Sequence, residues 1–502
     1  MVIHRVQVHS SKALLPKTEQ LAWKIAVVAR TAPPPDADVA EMVINRMVDN
    51  TGVALAAINR TPVANARTQG LAHPRTGGAT LFGVPSDERF EVEWAAWANG
   101  VAVRELDMHD TFLAADYSHP GDNIPPLLAV AQQCGRTGAQ LLRAIAVAYE
   151  IQIDLVRAIC LHEHKKDHIA HLCPSVAAGL GALLQLETET IYQAVQQAVH
   201  VSFTTRQSRK GEISSWKAYA PAHAAKLAIE AVDRAMRGEK SPSPIYEGED
   251  SVIAWMLGGA GASYDVPLPA PGEQCRAILA SYTKEHSAEY QAQAWIDLAF
   301  RLRTRIPDLR TIREIVIHTS HHTHNVIGTG SGDPQKLDPL ASRETLDHSV
   351  MYIFAAALYT GYWHHVKSYA PELVRDPALI ALWQKIRTQE DAEWTRRYHA
   401  KDPRERAFGG RVAITFQEGH SLADEIPVAD AHPLGARPFT RPGYLAKFKA
   451  LTEDLVGPEE SGRFLDVVQR LPALQAAELG GLNLVLPPGK LACAIRDTRG
   501  IF

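Results

Sequence analysis

The chain of 502 residues is 46% hydrophobic and 22% charged, which is typical of a soluble globular protein. It is long for a single hydrophobic core, so two or more domains are expected. The formal net charge of −4 argues against the strongly basic surface of a nucleic-acid-binding protein. The sequence shows neither a long apolar run nor the apolar core of a signal peptide, which predicts a protein that neither spans a membrane nor is exported.

The first half of the chain, from about residue 18 to 240, has the apolar spacing of three and four that predicts successive helices. The clearest example is Thr188–Val201, where apolar side chains fall on one face and Thr188 can cap the start. A second helix is predicted from about Pro221 to Arg237. The proline- and glycine-rich segment Gly238–Gly248 then reads as a loop.

After about Gln274 the pattern changes. Ile312–Thr319 and Val412–Phe416 are predicted strands, and helices are predicted at about Asp347–Thr360 and Pro377–Gln389 between them. Helical spacing then returns near the C-terminus. These elements predict a mainly α fold with an α+β second domain.

Acids and histidines are concentrated in Arg104–Asn123 (RELDMHDTFLAADYSHPGDN), beside a Pro-Gly turn. If this segment is helical, Asp107 and Thr111 share a face because they are four positions apart. Such a cluster is typical of a functional loop, although a solvated helix end followed by a turn is the plain alternative.

Two segments are rich in histidine. His162–Ser175 contains four, which fits a metal site, an acid/base or anion-binding histidine, or a solvated helix end. His318–Asn325 also contains four and fits a metal tract or a surface loop. Because the sequence has neither a HExxH nor a CxxC pattern, a metal is not favoured at either segment.

Cations gather in Arg206–His223, just before the predicted helix start at Pro221. Together with free backbone N–H groups at a helix start, they would suit a multiply charged carboxylate, with a basic surface loop as the alternative. In Ser342–Tyr352 (SRETLDHSVMY), Ser342 or Thr345 can start a helix, and a simple capped amphipathic helix would explain the acids there.

Taken in order, these segments resemble the MmgE/PrpD family, and within it the 2-methylcitrate dehydratases. The resemblance covers nearly the whole chain and rests on several motifs in the family's order, namely DMHDT, SHPGDN, KDHIAH, SSWKAYAPAH, AEYQAQA, SRETLDHSVMY and GGRVAITFQEGH. No single motif is decisive.

The resemblance implies a large all-helical domain made from residues 1–270 and 431–502, with a smaller α+β lid domain at 271–430. It also implies a homodimer that works without a metal or other cofactor. The five scattered cysteines, including the nearest pair Cys160 and Cys173, independently disfavour an iron–sulfur cluster. They also favour a reducing compartment, with the cytoplasm as the default.

The activity implied is elimination of water from 2-methylcitrate to give 2-methyl-cis-aconitate in the methylcitrate cycle of propionate catabolism, with citrate as a further candidate substrate. A close alternative is decarboxylation of cis-aconitate or another lyase reaction of the family. A distinct alternative is a metal-binding, non-enzymatic helical protein built on the histidine clusters.

Carried over residue by residue, the resemblance implies a catalytic group for proton transfer, charge neutralisation and donation to the leaving oxygen: His119, His168, Lys217 and Tyr352. The resemblance also implies that Asp107 and Thr111 lie in the substrate pocket, and Arg209, Lys284, His286 and Gln291 are further expected substrate-binding residues. Several relatives have a histidine where this chain has Gln291, so His286, beside Lys284, is a candidate substitute.

Overall fold

A computed structural model describes residues 1–400, 402–492, 497 and 499–502. The described part is mainly helical with a few small sheets. In the first half of the chain the helices are α1 (Leu21–Thr31), α2 (Ala37–Ala56), α3 (Thr61–Leu71), α4 (Val92–Glu105), α5 (Ile124–Gln133), α6 (Gly138–Ala158), α7 (Ile169–Leu184), α8 (Thr188–Ser202), α9 (Trp216–Met236) and α10 (Val252–Met256). The strands there are β1 (Val2–Gln7), β2 (Pro74–Ala79), β3 (Phe112–Leu113), β4 (Tyr117–Ser118) and β5 (Ser263–Leu268).

The second half contains more strand. Its helices are α11 (Tyr290–Arg303), α12 (His321–Val326), α13 (Arg343–Leu346), α14 (Val350–Thr360), α15 (Pro371–Val374), α16 (Pro377–Trp383), α17 (Ala392–Tyr398), α18 (Arg441–Thr452) and α19 (Pro458–Gln469). Its strands are β6 (Ile312–Thr319), β7 (Ile386–Glu390), β8 (Gly410–Phe416) and β9 (Ser421–Ile426).

Helix α7 lies at the centre of the larger core, and every residue along it is buried. A helix that is apolar on all sides must be surrounded by others, and α7 packs against α6, α8 and α9. Two glycines permit these close approaches. A Cβ on Gly179 would lie 2.9 Å from the Ala148 Cβ, and a Cβ on Gly181 would lie 2.7 Å from Ile191 Cγ1.

A second core lies under the four-stranded sheet β7-β6-β8-β9. Strands β6 and β7 are parallel, whereas β6–β8 and β8–β9 are antiparallel. Helices α11 and α14 pack together in this core with the fully buried Trp295 and Trp383. After the sheet the chain returns to the larger core, where α18 packs on α2 and Phe448 stacks on Phe464.

The predicted helix at Thr188 and the predicted strand Ile312–Thr319 are confirmed. The helix expected to continue to Gln389 was wrong in its second half, because it ends at Trp383 and the next residues form β7 parallel to β6. Pairing with a buried neighbouring strand outweighs local helical spacing. No helix in the described ranges is both long and apolar enough to cross a membrane.

The larger core uses residues up to Ile278 and again from Phe448, and the second core uses residues from Ala288 to Ala429, whereas the predicted division is at residues 270 and 430. We keep those boundaries as a proposal. Of the five cysteines, Cys493 lies outside the described residues, and the other four are free thiols.

Candidate functional site

The acidic segment after α4 is a turn rather than a helix. Helix α4 ends at Glu105, and Asp107 has a φ of +50°, a left-handed conformation that is uncommon for a side chain other than glycine. The expected shared helix face of Asp107 and Thr111 was therefore wrong. The Thr111 hydroxyl instead donates to the Ser118 carbonyl at 2.8 Å, and its backbone pairs with Tyr282, which anchors the turn.

The Pro-Gly turn that follows is fixed by a buried polar network. The Gly121 N–H donates to Asp110 Oδ1 at 2.7 Å, and its carbonyl accepts from Asn50 Nδ2 at 2.8 Å. A Cβ on Gly121 would lie only 2.8 Å from Asp110 Oδ1, so the position requires glycine. This turn holds His119 against the acidic segment, where its Nδ1 lies 3.1 Å from the Asp110 carbonyl.

Asp107 is the centre of a buried cluster of cations. Its Oδ1 lies 2.8 Å from Arg104 Nη1 and 2.6 Å from Lys284 Nζ, and its Oδ2 lies 3.0 Å from Lys217 Nζ. Burial alone would raise the pKa of the Asp107 carboxyl, but these three cations hold it well below its usual range. Burial has the opposite effect on Lys284 and lowers its pKa, although Asp107 opposes that shift.

A second carboxylate, Asp347, shares Lys217 with Asp107. Lys217 Nζ donates to both Asp347 oxygens at 2.9 Å, and Arg343 Nη1 lies 3.1 Å from Oδ2. Despite burial, Lys217 and His348 lower the pKa of the Asp347 carboxyl. The adjacent His348 has its pKa lowered to about 4 by burial and by Lys217, so its imidazole is neutral at pH 7.

Two serine caps place Asp347 and His348 in this cluster. Ser342 accepts from the Thr345 N–H at the start of α13, and Ser349 accepts from the Tyr352 N–H at the start of α14. The helix predicted from about Asp347 to Thr360 is α14, which begins three residues later at Val350. Asp347 and His348 lie in the break between α13 and α14, where their side chains can turn toward Lys217.

Lys217 lies in the first turn of α9, which begins at Trp216 rather than near the predicted Pro221. Because proline has no N–H, the Lys217 carbonyl four residues before Pro221 lacks its usual helical partner. That carbonyl accepts from Arg209 Nη1 at 3.3 Å. Because of the interior proline, the Lys217 carbonyl is free to bind the Arg209 guanidinium beside the cluster.

Two predicted catalytic histidines lie side by side. The ring centroids of His119 and His168 are 5.4 Å apart, and His119 Nε2 lies 3.9 Å from Asp107 Oδ1. His168 Nδ1 lies 2.9 Å from Asp167 Oδ1, and Asp167 Oδ2 is 3.6 Å from Arg209 Nε. Burial lowers the pKa of both imidazoles, most strongly for His119, where Arg104 and Lys284 act in the same direction. Both are therefore neutral proton acceptors near pH 7.

Several donors around the cluster are buried without a hydrogen-bond partner among the described residues. They are Arg104 Nε, Arg209 Nη2 and Arg343 Nε. Buried donors are usually satisfied, and each unsatisfied one carries a free-energy cost of about 1–3 kcal/mol. Each belongs to an arginine that contacts Asp107, Asp347 or Lys217, which indicates a place for a ligand rich in acceptor oxygens.

Three further predicted residues have different surroundings. Tyr352 lies in the second core, where its ring packs on Trp383 and its hydroxyl donates to the Ser368 carbonyl. His286 Nε2 lies 3.0 Å from Asp297 Oδ1. Gln291, at the start of α11, is buried, and its Oε1 has no partner among the described residues. The structure therefore does not bring Tyr352 or His286 into contact with Asp107, and the roles assigned to them stay predictions.

Some of the described acids and histidines lie close enough together to suit a metal ion. Asp107, Asp347 and His348 converge, but the Lys217 ammonium already lies between the two carboxylates. In the histidine-rich segments, His162 and His322 have ring centroids 4.8 Å apart. The described residues bring no third ligand to that pair within the spacing a metal requires.

Beside the cluster lies a cavity of about 560 Å³. Its wall includes Met108, His286, Ser287 and Lys447. Lys447 Nζ donates to the carbonyls of Met108 and Lys284, each at 2.7 Å, and so ties the wall of the cavity to the residues that hold the cluster. The cavity wall thus reaches Met108, the residue after Asp107.

Both parts of the fold match family models. Residues 19–265 match the MmgE/PrpD N-terminal domain, and residues 286–473 match the MmgE/PrpD C-terminal domain. The chain belongs to the MmgE/PrpD family. The 2-methylcitrate dehydratase of Cupriavidus necator is 26% identical over 78% of this chain and 80% of its own length. That of Salmonella typhimurium is 25% identical over 74% of this chain and 78% of its own length.

A further relative, the 2-methylcitrate dehydratase-like protein oryR of Aspergillus oryzae, is 23% identical over 88% of this chain and 90% of its own length.

Sequence reasoning alone did not single out three residues that the structure places at the cluster: Arg104, Arg343 and Glu289. The sequence does contain a signal for Arg343. Two serines seven positions apart, Ser342 and Ser349, each begin a helix and so predict a break that presents the residues between them.

Proposed function

We propose that this MmgE/PrpD protein eliminates water from a small tricarboxylic acid, with 2-methylcitrate as substrate and 2-methyl-cis-aconitate as product. The observation that carries the proposal is the charge of the buried cluster. Four cations, Arg104, Lys217, Lys284 and Arg343, surround two carboxylates, Asp107 and Asp347. A buried excess of positive charge favours a multiply charged anion, and the names of the relatives support a dehydratase.

Dehydration of a β-hydroxy acid requires a base for the proton on carbon, cations for the charge that develops, and a proton for the leaving hydroxyl. His119 and His168 can act as the base because burial keeps them neutral. Lys217 and Lys284 would neutralise a substrate carboxylate in competition with Asp107. The unpartnered Arg209 Nη2 would bind the remaining oxygens.

All of these groups are side chains, so we propose a reaction that needs no metal or other cofactor. We further propose a homodimer acting in the methylcitrate cycle in the cytoplasm. Size-exclusion chromatography with light scattering tests the dimer, because a mass near the 55.0 kDa of one chain would contradict it.

The activity is tested by incubating the purified protein with 2-methylcitrate, citrate and cis-aconitate in the presence of a chelator. We expect a rise in ultraviolet absorbance from the new conjugated double bond with 2-methylcitrate. Release of carbon dioxide from cis-aconitate without any dehydration would replace this proposal with a decarboxylase. Tightly bound metal that is lost together with activity on chelation would contradict the cofactor-free reaction.

A further inference from the structure

Glu289, the residue before α11, is clamped between two parts of the cluster. Its Oε2 accepts from the Gln291 N–H at 2.7 Å and so caps the helix. Its own N–H donates to the Asp347 carbonyl at 3.1 Å. The first contact fixes the side chain at the start of α11, and the second fixes the backbone beside the segment that carries Asp347 and His348.

Charged groups from several elements act on the Glu289 carboxyl. These groups are Lys284 in the preceding loop, Asp107 in the turn after α4 and Lys217 in α9. Burial raises the pKa of Glu289 to about 7, with Asp107 acting in the same direction, while Lys284, the Gln291 N–H and Lys217 oppose the shift. Burial, and in part the charge of Glu289, raises the pKa values of Tyr290 and Tyr398.

The other acids of the cluster are poor proton donors. Cations lower the pKa values of Asp107 and Asp347, so both are ionised at neutral pH. His119 is held neutral, which suits it to accept a proton. The amide of Gln291 does not titrate. Of the three carboxyl groups Asp107, Asp347 and Glu289, only Glu289 combines this position with a protonated form near neutral pH.

We propose that Glu289 is the general acid that protonates the leaving hydroxyl of the substrate. The inference rests on the proposed dehydration. A histidine base takes the proton from carbon, and the C–H electron pair becomes the new π bond. The C–O bond breaks with its electron pair going to oxygen, and oxygen takes the Glu289 proton and leaves as water. The base then returns its proton, through solvent, to the Glu289 carboxylate.

The first test is Glu289→Gln, because a glutamine Oε1 can still accept from the Gln291 N–H while the acid is lost. A general acid contributes about 10²–10⁴-fold, so we expect kcat to fall by at least about 10²-fold. The wild type needs protonated Glu289, so its kcat/KM should fall above about pH 7, and this alkaline limb should be absent from the variant. Glu289→Asp, which keeps a titrating group, should retain the limb.

The matched control is Asp376→Asn, since Asp376 caps α16 by accepting from the Ala378 N–H at 2.8 Å and its other partner, the Tyr359 hydroxyl, is not part of the cluster. This variant should keep the parent rate and pH profile. A Glu289→Gln variant that melts like the parent and keeps both its rate and its alkaline limb would overturn the inference. A wild type that dehydrates none of the three acids would instead refute the proposed function, so the two failures are distinguishable.

A measurement on the wild type covers the case in which Glu289→Gln does not fold. In a substrate analogue with fluoride in place of the leaving hydroxyl, the leaving group needs no proton. Fluoride release should then lose the alkaline limb that water loss shows. If both substrates show the alkaline limb, the titrating group is not the acid that protonates the leaving hydroxyl. The same conclusion follows if the analogue is inert and Glu289→Asp shows no alkaline limb with 2-methylcitrate.

Discussion

Removing the Lys217 ammonium is the sharpest perturbation of the cluster, because this one group bridges both carboxylates. In Lys217→Ala, Asp107 and Asp347 lose contacts of 3.0 and 2.9 Å. At an effective dielectric constant of about 20, each contact corresponds to about 5 kcal/mol of Coulomb attraction. The cost of burying the ammonium, several kcal/mol, offsets part of this sum.

Each carboxylate also keeps other cations, since Asp107 retains Arg104 and Lys284 and Asp347 retains Arg343. We therefore expect the free energy of unfolding to fall by about 3 kcal/mol, the low end for breaking a buried ion pair. The rate should suffer more. A lost group that faces developing charge lowers kcat by about 10²–10³-fold, which equals about 2.7–4 kcal/mol.

The assay combines urea unfolding with steady-state rates on 2-methylcitrate. The matched control is Lys226→Ala on the same helix, where the partly exposed ammonium lies over the Trp94 ring at 3.5 Å and touches no cluster residue. Lys226→Ala should keep the parent kcat. If Lys217→Ala unfolds at the parent urea concentration and turns over within about threefold of the parent rate, the cluster is not the catalytic site.

Three further predictions concern stability and the placement of predicted residues. Burial lowers the pKa of His171 to about 4 from its ordinary 6.5, so the unfolded chain takes up this proton first as the pH falls. The free energy of unfolding should therefore drop by up to about 3 kcal/mol between pH 6.5 and 4. Urea unfolding of His171→Gln should lack this part of the drop. A variant with the same pH dependence as the parent would contradict the prediction. Tyr352→Phe leaves the Ser368 carbonyl without its hydrogen bond, so the free energy of unfolding measured by thermal melting should fall by about 1–2 kcal/mol while kcat is unchanged. A tenfold loss of kcat would show that the hydroxyl takes part in the reaction. Gly121→Ala forces a Cβ within 2.8 Å of Asp110 Oδ1 and should lower stability by about 1–3 kcal/mol, and a melting temperature equal to the parent's would show that the turn can relax.

Local patterns predicted much of the fold because they depend on neighbouring residues. Spacing alone predicted the helix at Thr188 and the strand Ile312–Thr319, since periodicity reports which face is buried. The serine cap at Ser342 was also visible in the sequence. Prediction failed where tertiary contacts compete with local preference. The helix expected to reach Gln389 is wrong in its second half because β7 forms there and pairs with β6.

The sequence by itself determined the chemistry that is available: a chain with local concentrations of acids, histidines and cations, whose motifs resemble those of MmgE/PrpD proteins. Only the tertiary structure decided which of these groups meet. Lys217 and Lys284 come from distant segments and contact Asp107 in its left-handed turn, and Lys217 also contacts Asp347 in the break before Ser349. Such meetings, and the pKa shifts that burial and neighbouring charges impose on Glu289, depend on three-dimensional distance, which spacing along the chain does not encode.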